Sequence, residues 1–68
     1  MRLLPLSRLL FATHDMTWEH VHRWQHRPRP PLLVERLPDG WWFVHDGRHR
    51  ATAAYEDDAT HVYAEETP

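Results

Sequence analysis

The sequence predicts one small α+β domain, a mixed sheet carrying two helices in the order β-α-β-β-α-β. Three observations carry this. Asp39-Gly40 stands between two apolar runs, which is the pattern of a tight β-hairpin. Residues 17–26 and 48–57 place apolar side chains at helical spacing. The chain is 41% hydrophobic with 4 tryptophans, a composition that suits a folded domain rather than a disordered tail.

The elements follow in order. Residues 2–6 read as a short apolar strand. Residues 13–17 supply cap-type side chains, and a helix is expected over 17–26, where Trp18, Val21 and Trp24 recur at threes and Glu19, Arg23 and Gln25 can face water. Arg27-Pro28-Arg29-Pro30-Pro31 must stop it, because proline lacks the amide donor and biases the preceding residue towards extended backbone. A stiff connector results.

Residues 32–37 read as a strand, 38–40 as a turn and 41–45 as the hairpin partner. In that partner Trp42 and Val44 share one face, while Trp41, Phe43 and His45 share the other. Helices are expected to cover both faces, making the aromatic run core. An open face would instead offer its rings to a base or a partner. From Asp46-Gly47 the period becomes helical, with Ala51, Ala54 and Tyr55 in step over residues 48–57. Residues 60–64 read as the last strand and 65–68 as a frayed tail, so a single domain spans 1–68.

Composition narrows the function. A domain of 68 residues buries only about 60% of its unfolded surface, so its stability is marginal. There is no cysteine, which excludes disulfides, thiolate zinc sites and thiol catalysis. Eight arginines without a lysine face ten acids, for a formal net charge of −2, and that argues against a purely electrostatic nucleic-acid binder. Protonation of the seven histidines would reverse the sign. Pro5, Ser7 and Arg8 interrupt the apolar run of residues 1–12, so it reads as strand and connection rather than a signal peptide. The expectation is a cytoplasmic chain without a membrane segment.

The chemistry concentrates in Asp46-Gly47-Arg48-His49-Arg50-Ala51. A strand ends, glycine permits a sharp turn, and a helix begins within a residue or two. The first amides of that helix have no intrahelical partner and lie at the positive end of its dipole. Arg48 and Arg50 add planar forks suited to phosphate, and His49 donates or accepts according to its protonation. The plainer alternative is a strand–helix turn whose arginines pair with Glu56, Asp57 or Asp58.

The stretch LLVERLPDGWWFVHDGRHRATAA followed by THVYA resembles the ParB/sulfiredoxin-like superfamily, often labelled ParB-like nuclease domains. LLPLSRLL is similar, more weakly, to that family's first strand and its connection. The resemblance implies a turn that takes nucleotide phosphates: partitioning proteins bind CTP with magnesium there, sulfiredoxins use ATP, and relatives act as free-serine kinases or nucleases. Carried over by position, Gly47 matches the turn glycine and Arg50 the phosphate-contacting arginine. Arg48 stands where sulfiredoxins place cysteine and partitioning proteins usually glutamate. Sulfiredoxin chemistry is therefore excluded, and CTP hydrolysis of the partitioning type loses its glutamate. No helix-turn-helix domain follows, so independent recognition of a centromere-like site is not expected.

His22 and His26, four apart with Glu19 nearby, could hold zinc or nickel, although a solvated histidine face is the simpler reading. Asp46 could position magnesium or a substrate hydroxyl, though an aspartate there more often caps the helix. Glu56, Asp57 and Asp58 fall near a helix C-terminus, where negative charge is unfavourable, and the sequence offers no account of them. Ser7 is the only serine and belongs to no triad.

Three functions follow from these readings. The favoured one is a module binding a nucleotide or nucleic-acid backbone at Gly47, Arg48, His49 and Arg50, with Mg2+ accompanying a nucleotide. The second is a weak magnesium-dependent nuclease or phosphoryl-transfer enzyme using Asp46. The third is an accessory interaction protein of phage or plasmid origin, with a protein partner.

Overall fold

A computed structural model describes residues 1–68. The strands are β1 (Arg2–Pro5), β2 (Leu9–Leu10), β3 (Leu32–Arg36), β4 (Trp42–Asp46) and β5 (His61–Glu66); the helices are α1 (Trp18–Trp24) and α2 (Arg48–Glu56). They form one mixed sheet in the order β1-β5-β3-β4-β2. β1 lies antiparallel to β5 and β3 antiparallel to β4, while β3–β5 and β2–β4 are parallel.

The opening segment is two strands where the sequence suggested one. A single turn of 3-10 helix at Leu6–Arg8 separates them, and they occupy opposite edges of the sheet. Five flat strands would hold those edges roughly 19 Å apart at about 4.8 Å per spacing. Pro5 to Leu9 can span at most roughly 14 Å of extended chain. The sheet must therefore curl, and the short link between its edges holds the curl. β2 escaped the sequence reading because two residues become a strand only by pairing with Trp42 and Phe43.

The hairpin forms as its residues require. Asp39 and Gly40 both have positive φ, 62° and 81°, the pair of conformations a tight right-twisting turn needs. Across it Val34 pairs with Val44 and Arg36 with Trp42.

The core lies between the inner sheet face and the helices. Leu4, Leu9, Leu32, Val34, Trp42, Val44, Ala51 and Ala64 form one cluster. Val21 of α1 and Ala51, Ala53 and Ala54 of α2 are buried, and the small alanines let α2 approach closely. Helices cover this face only. Phe43 is 36% exposed and Tyr63 58%, with Leu3 and Leu33 also open on the outer face. The expectation that both faces of the aromatic run would be covered is thus overturned: two short helices pack together on one side, and nothing remains for the other.

Two boundaries move. α1 ends at Trp24, two residues short of expectation, because Gln25 is extended and His26 takes φ 57°. Its cap is Thr17, whose hydroxyl accepts from the His20 amide. β5 runs on to Glu66, where a frayed tail was expected. Leu33 and Val34 continue to pair with Glu65 and Glu66, and Thr67 N–H donates to Val34 O at 2.7 Å. Glu66 also meets Arg36 at 3.0 Å and Arg2 at 3.7 Å, both arginines lying over the Trp42 ring.

No helix is long and apolar enough to cross a membrane.

Candidate functional site

The turn after β4 is shaped by a bulge. Val34 pairs with Val44 but Leu33 pairs with Asp46, so His45 is the extra residue. A bulge bends its strand and re-aims the strand's end. Gly47 follows at φ 110°, ψ 22°, and α2 starts at the next residue. Glycine is required twice over: the φ is positive, and a Cβ here would lie 2.5 Å from Leu32 Cδ2 and 2.9 Å from Arg50 Nη2.

The first intrahelical bond runs from the Ala51 N–H to the Gly47 carbonyl at 2.8 Å. The amides of Arg48, His49 and Arg50 precede it, so they lack helical acceptors and carry the positive end of the α2 dipole. An open cleft of about 350 Å³ borders them, lined by residues 46–50 with Trp24 and His45.

The four turn side chains are not equivalent. Arg50 is only 13% exposed; Nη2 donates to Asp46 Oδ2 at 3.1 Å, and its guanidinium stands 5.9 Å from the Trp24 ring centroid. Asp46 is 77% exposed and has no other partner. Arg48 is turned to the loop before α1, donating to the carbonyls of Ala12 and His14 at 3.0 Å each. The sequence pairs it with Arg50 as a phosphate fork; in the structure its Nη1 braces that loop.

His49 Nε2 accepts from the Thr17 N–H at 3.4 Å, and its ring meets His20 edge-on at 5.1 Å. Burial, and then the charges of His20 and Arg48, hold its pKa below the usual histidine value. The ring is neutral at pH 7, and with Nε2 accepting, its proton is on Nδ1. A lowered histidine pKa contributes stability above the ordinary histidine range, and that contribution is lost as pH falls through it.

The histidine pair does not assemble. α1 ends before His26, so His22 and His26 share no helical face. His22 stacks on Trp18, and His26 Nδ1 lies 3.3 Å from Asp57 Oδ1. No group of three or more histidine, aspartate or glutamate side chains is arranged around a metal position.

Asp57, which the sequence left unexplained, is a structural joint. Its carboxylate accepts from the His26 N–H at 2.6 Å, Arg29 Nη1 at 2.8 Å and Gln25 Nε2 at 3.3 Å, and so ties the end of α1 and the proline connector to the end of α2. Those contacts, led by the His26 amide, outweigh burial and hold its pKa below the usual carboxylate range. Its contribution is therefore full above that range and is lost as pH falls through the lowered pKa. Asp57→Asn is expected to lower the melting midpoint by roughly 5–10 °C at pH 7, with the difference closing on stepwise acidification. Melts showing an equal difference throughout the acid range would contradict this role.

Trp24 was missed as a site residue. Its spacing marks it as helix face, and nothing local signals that Arg50, 26 positions later, will lie against it.

No family model and no curated protein matches the sequence. Among solved structures, the chain is similar to sulfiredoxin from Arabidopsis thaliana, with TM-score 0.79, 19% identity, and coverage of 97% of this chain and 82% of that one. It is similar to a free serine kinase variant in complex with ADP, with TM-score 0.79, 13% identity, and 97% and 30% coverage. It is also similar to the C-terminally truncated chromosome-partitioning protein ParB from Caulobacter crescentus complexed with CTP-gamma-S, with TM-score 0.75, 19% identity, and 97% and 43% coverage. The chain thus spans under half the length of the last two. These likenesses show a ParB/sulfiredoxin-like fold.

Proposed function

We propose that this chain, built on the ParB/sulfiredoxin-like fold, is a binding module for a phosphate-bearing ligand, either a nucleotide or a nucleic-acid backbone. The carrying observation is the turn itself: a left-handed Gly47 opens the unpartnered amides of Arg48, His49 and Arg50 onto a cleft that also holds the Arg50 guanidinium. The amides and the Arg50 fork take phosphate oxygens, the His49 Nδ1–H supplies a neutral donor, and Arg48 holds the neighbouring loop in place. Two structural neighbours were solved with ADP and CTP-gamma-S, which supports a nucleotide as the ligand.

Magnesium fits here as a companion of the ligand. The cleft contributes one carboxylate, Asp46, and a nucleotide's phosphates would supply the remaining charged oxygens. Asp46 is also the residue on which a weak nuclease or phosphoryl-transfer activity would depend. A lone exposed carboxylate paired with Arg50 favours binding over hydrolysis. An accessory role with a protein partner is the remaining reading.

Calorimetric titration with CTP, ATP, ADP and a short DNA, each with and without Mg2+, tests the proposal. Asp46→Asn discriminates the classes. It removes a negative charge beside the anion and releases Arg50, so affinity without metal is expected to hold or to rise about two- to fivefold. Loss of metal-free binding in this variant would contradict the assignment. Magnesium-dependent cleavage that disappears in it would move the protein to the enzyme class.

A further inference from the structure

The turn cleft has a neighbour. β3 begins opposite Ala64, so β5 has no β3 partner alongside His61 to Tyr63, and the connector after α1 passes there instead. A second cleft of about 240 Å³ opens in that gap, lined by Arg27, Arg29, Arg50, His61, Tyr63 and Leu3 among others. No carboxylate lines it. Arg50 is the one residue common to both clefts, so they adjoin across a single guanidinium.

The cationic groups of this second cleft are held differently. Arg29 is anchored by Asp57 at 2.8 Å and by the Trp24 carbonyl at 3.1 Å. Arg27 makes no ion pair or hydrogen bond, and Pro28 and Pro30 restrict the backbone that presents it. Tyr63 stands more than half exposed on the rim, beside Leu3, with which it pairs across β1 and β5. An unpaired arginine next to an exposed aromatic ring and an apolar wall suits a unit that is both anionic and flat. Inorganic polyphosphate would use the arginines and leave the ring idle, whereas a nucleotide unit uses both.

We propose, building on the reading of the turn as a phosphate site, that the two clefts form one continuous track for single-stranded nucleic acid. One phosphate is held at the amides of residues 48–50, Arg50 bridges, and the next unit enters the connector cleft, its phosphate on Arg27 and its base on Tyr63. The net charge of −2 does not oppose this, because Asp46 is the one acid that lines either cleft and it is paired with Arg50.

The test is fluorescence anisotropy with a 5′-fluorescein oligothymidylate of about ten residues, with CTP and tripolyphosphate as competitors. Arg27→Ala is expected to weaken the strand about three- to tenfold and make its salt dependence shallower by about 0.7 in logarithmic slope, with CTP binding unchanged within about twofold. Tyr63→Thr, which keeps a strand-forming residue, is expected to cost about fivefold or more for the strand and nothing for tripolyphosphate. Strand affinity indifferent to both substitutions, or tripolyphosphate competing as tightly as the strand, would overturn the track. If Arg50→Ala weakens CTP while these two variants do not weaken the strand, the track alone fails. If Arg50→Ala weakens neither, the reading of the turn fails with it.

Discussion

Gly47→Val is expected to bring the domain close to unfolding. A β-branched residue at φ 110° carries backbone strain of about 1–3 kcal/mol. Its Cβ would meet Leu32 Cδ2 at 2.5 Å, and Leu32 is 2% exposed within the core, so it has no free direction in which to yield. Overpacking of this kind costs about 1–3 kcal/mol more. A small domain near the lower end of the usual 5–15 kcal/mol range loses much of its stability to that sum. Gly40 provides the control, since its φ is also positive, at 81°, but nothing lies within 4 Å of a Cβ built there. Gly40→Ala is therefore expected to cost only about 1 kcal/mol. Urea or thermal melts of both variants check the comparison. Equal losses would show that strain alone, and not the contact with Leu32, makes the turn need glycine.

Arg50→Ala is expected to weaken a phosphate ligand about ten- to hundredfold while leaving a folded domain. A charge-assisted contact is worth about 1.5–3 kcal/mol, and Arg50 is the turn cation whose fork is not tied to another loop. Its pair with the solvent-exposed Asp46 contributes only about 0–1 kcal/mol to stability, with some further loss where the half-buried stem packs on Trp24. Arg50→Lys keeps the charge and most of the stem but not the planar fork, so affinity should recover only in part. Titrations run beside melts separate the two effects. Parent-like affinity in Arg50→Ala would remove the side chain from the site.

What the sequence disclosed and what it hid divide along physical lines. Asp39-Gly40 was legible because both residues accept positive φ by their own chemistry, whatever surrounds them. The strand–glycine–helix turn at Asp46-Gly47 was legible for the same local reason, and apart from Trp24 the residues lining its cleft lie within five positions of one another. The edge strand Leu9–Leu10 was not, since its partner lies more than thirty residues away and only the curl of the sheet brings them together.

Side-chain destinations were the least legible. Arg48 and Arg50 look alike in sequence, yet one braces the carbonyls of Ala12 and His14 and the other pairs with Asp46 beside the Trp24 ring. Asp57 looked misplaced beside a helix C-terminus because the groups that hold it come from the far end of another helix and the connector beyond it. His45 was assigned to a strand face by simple alternation, which the bulge opposite Leu33 and Val34 interrupts.

If the turn's own amides receive the phosphate, a backbone amide shift titration of 15N-labelled chain with CTP reads the contact at those amides. Saturable shifts are expected at the amides of Arg48, His49 and Arg50, moving together with one dissociation constant and collapsing in Arg50→Ala. Shifts centred elsewhere, or no saturable shift in these three amides at millimolar nucleotide, would contradict it.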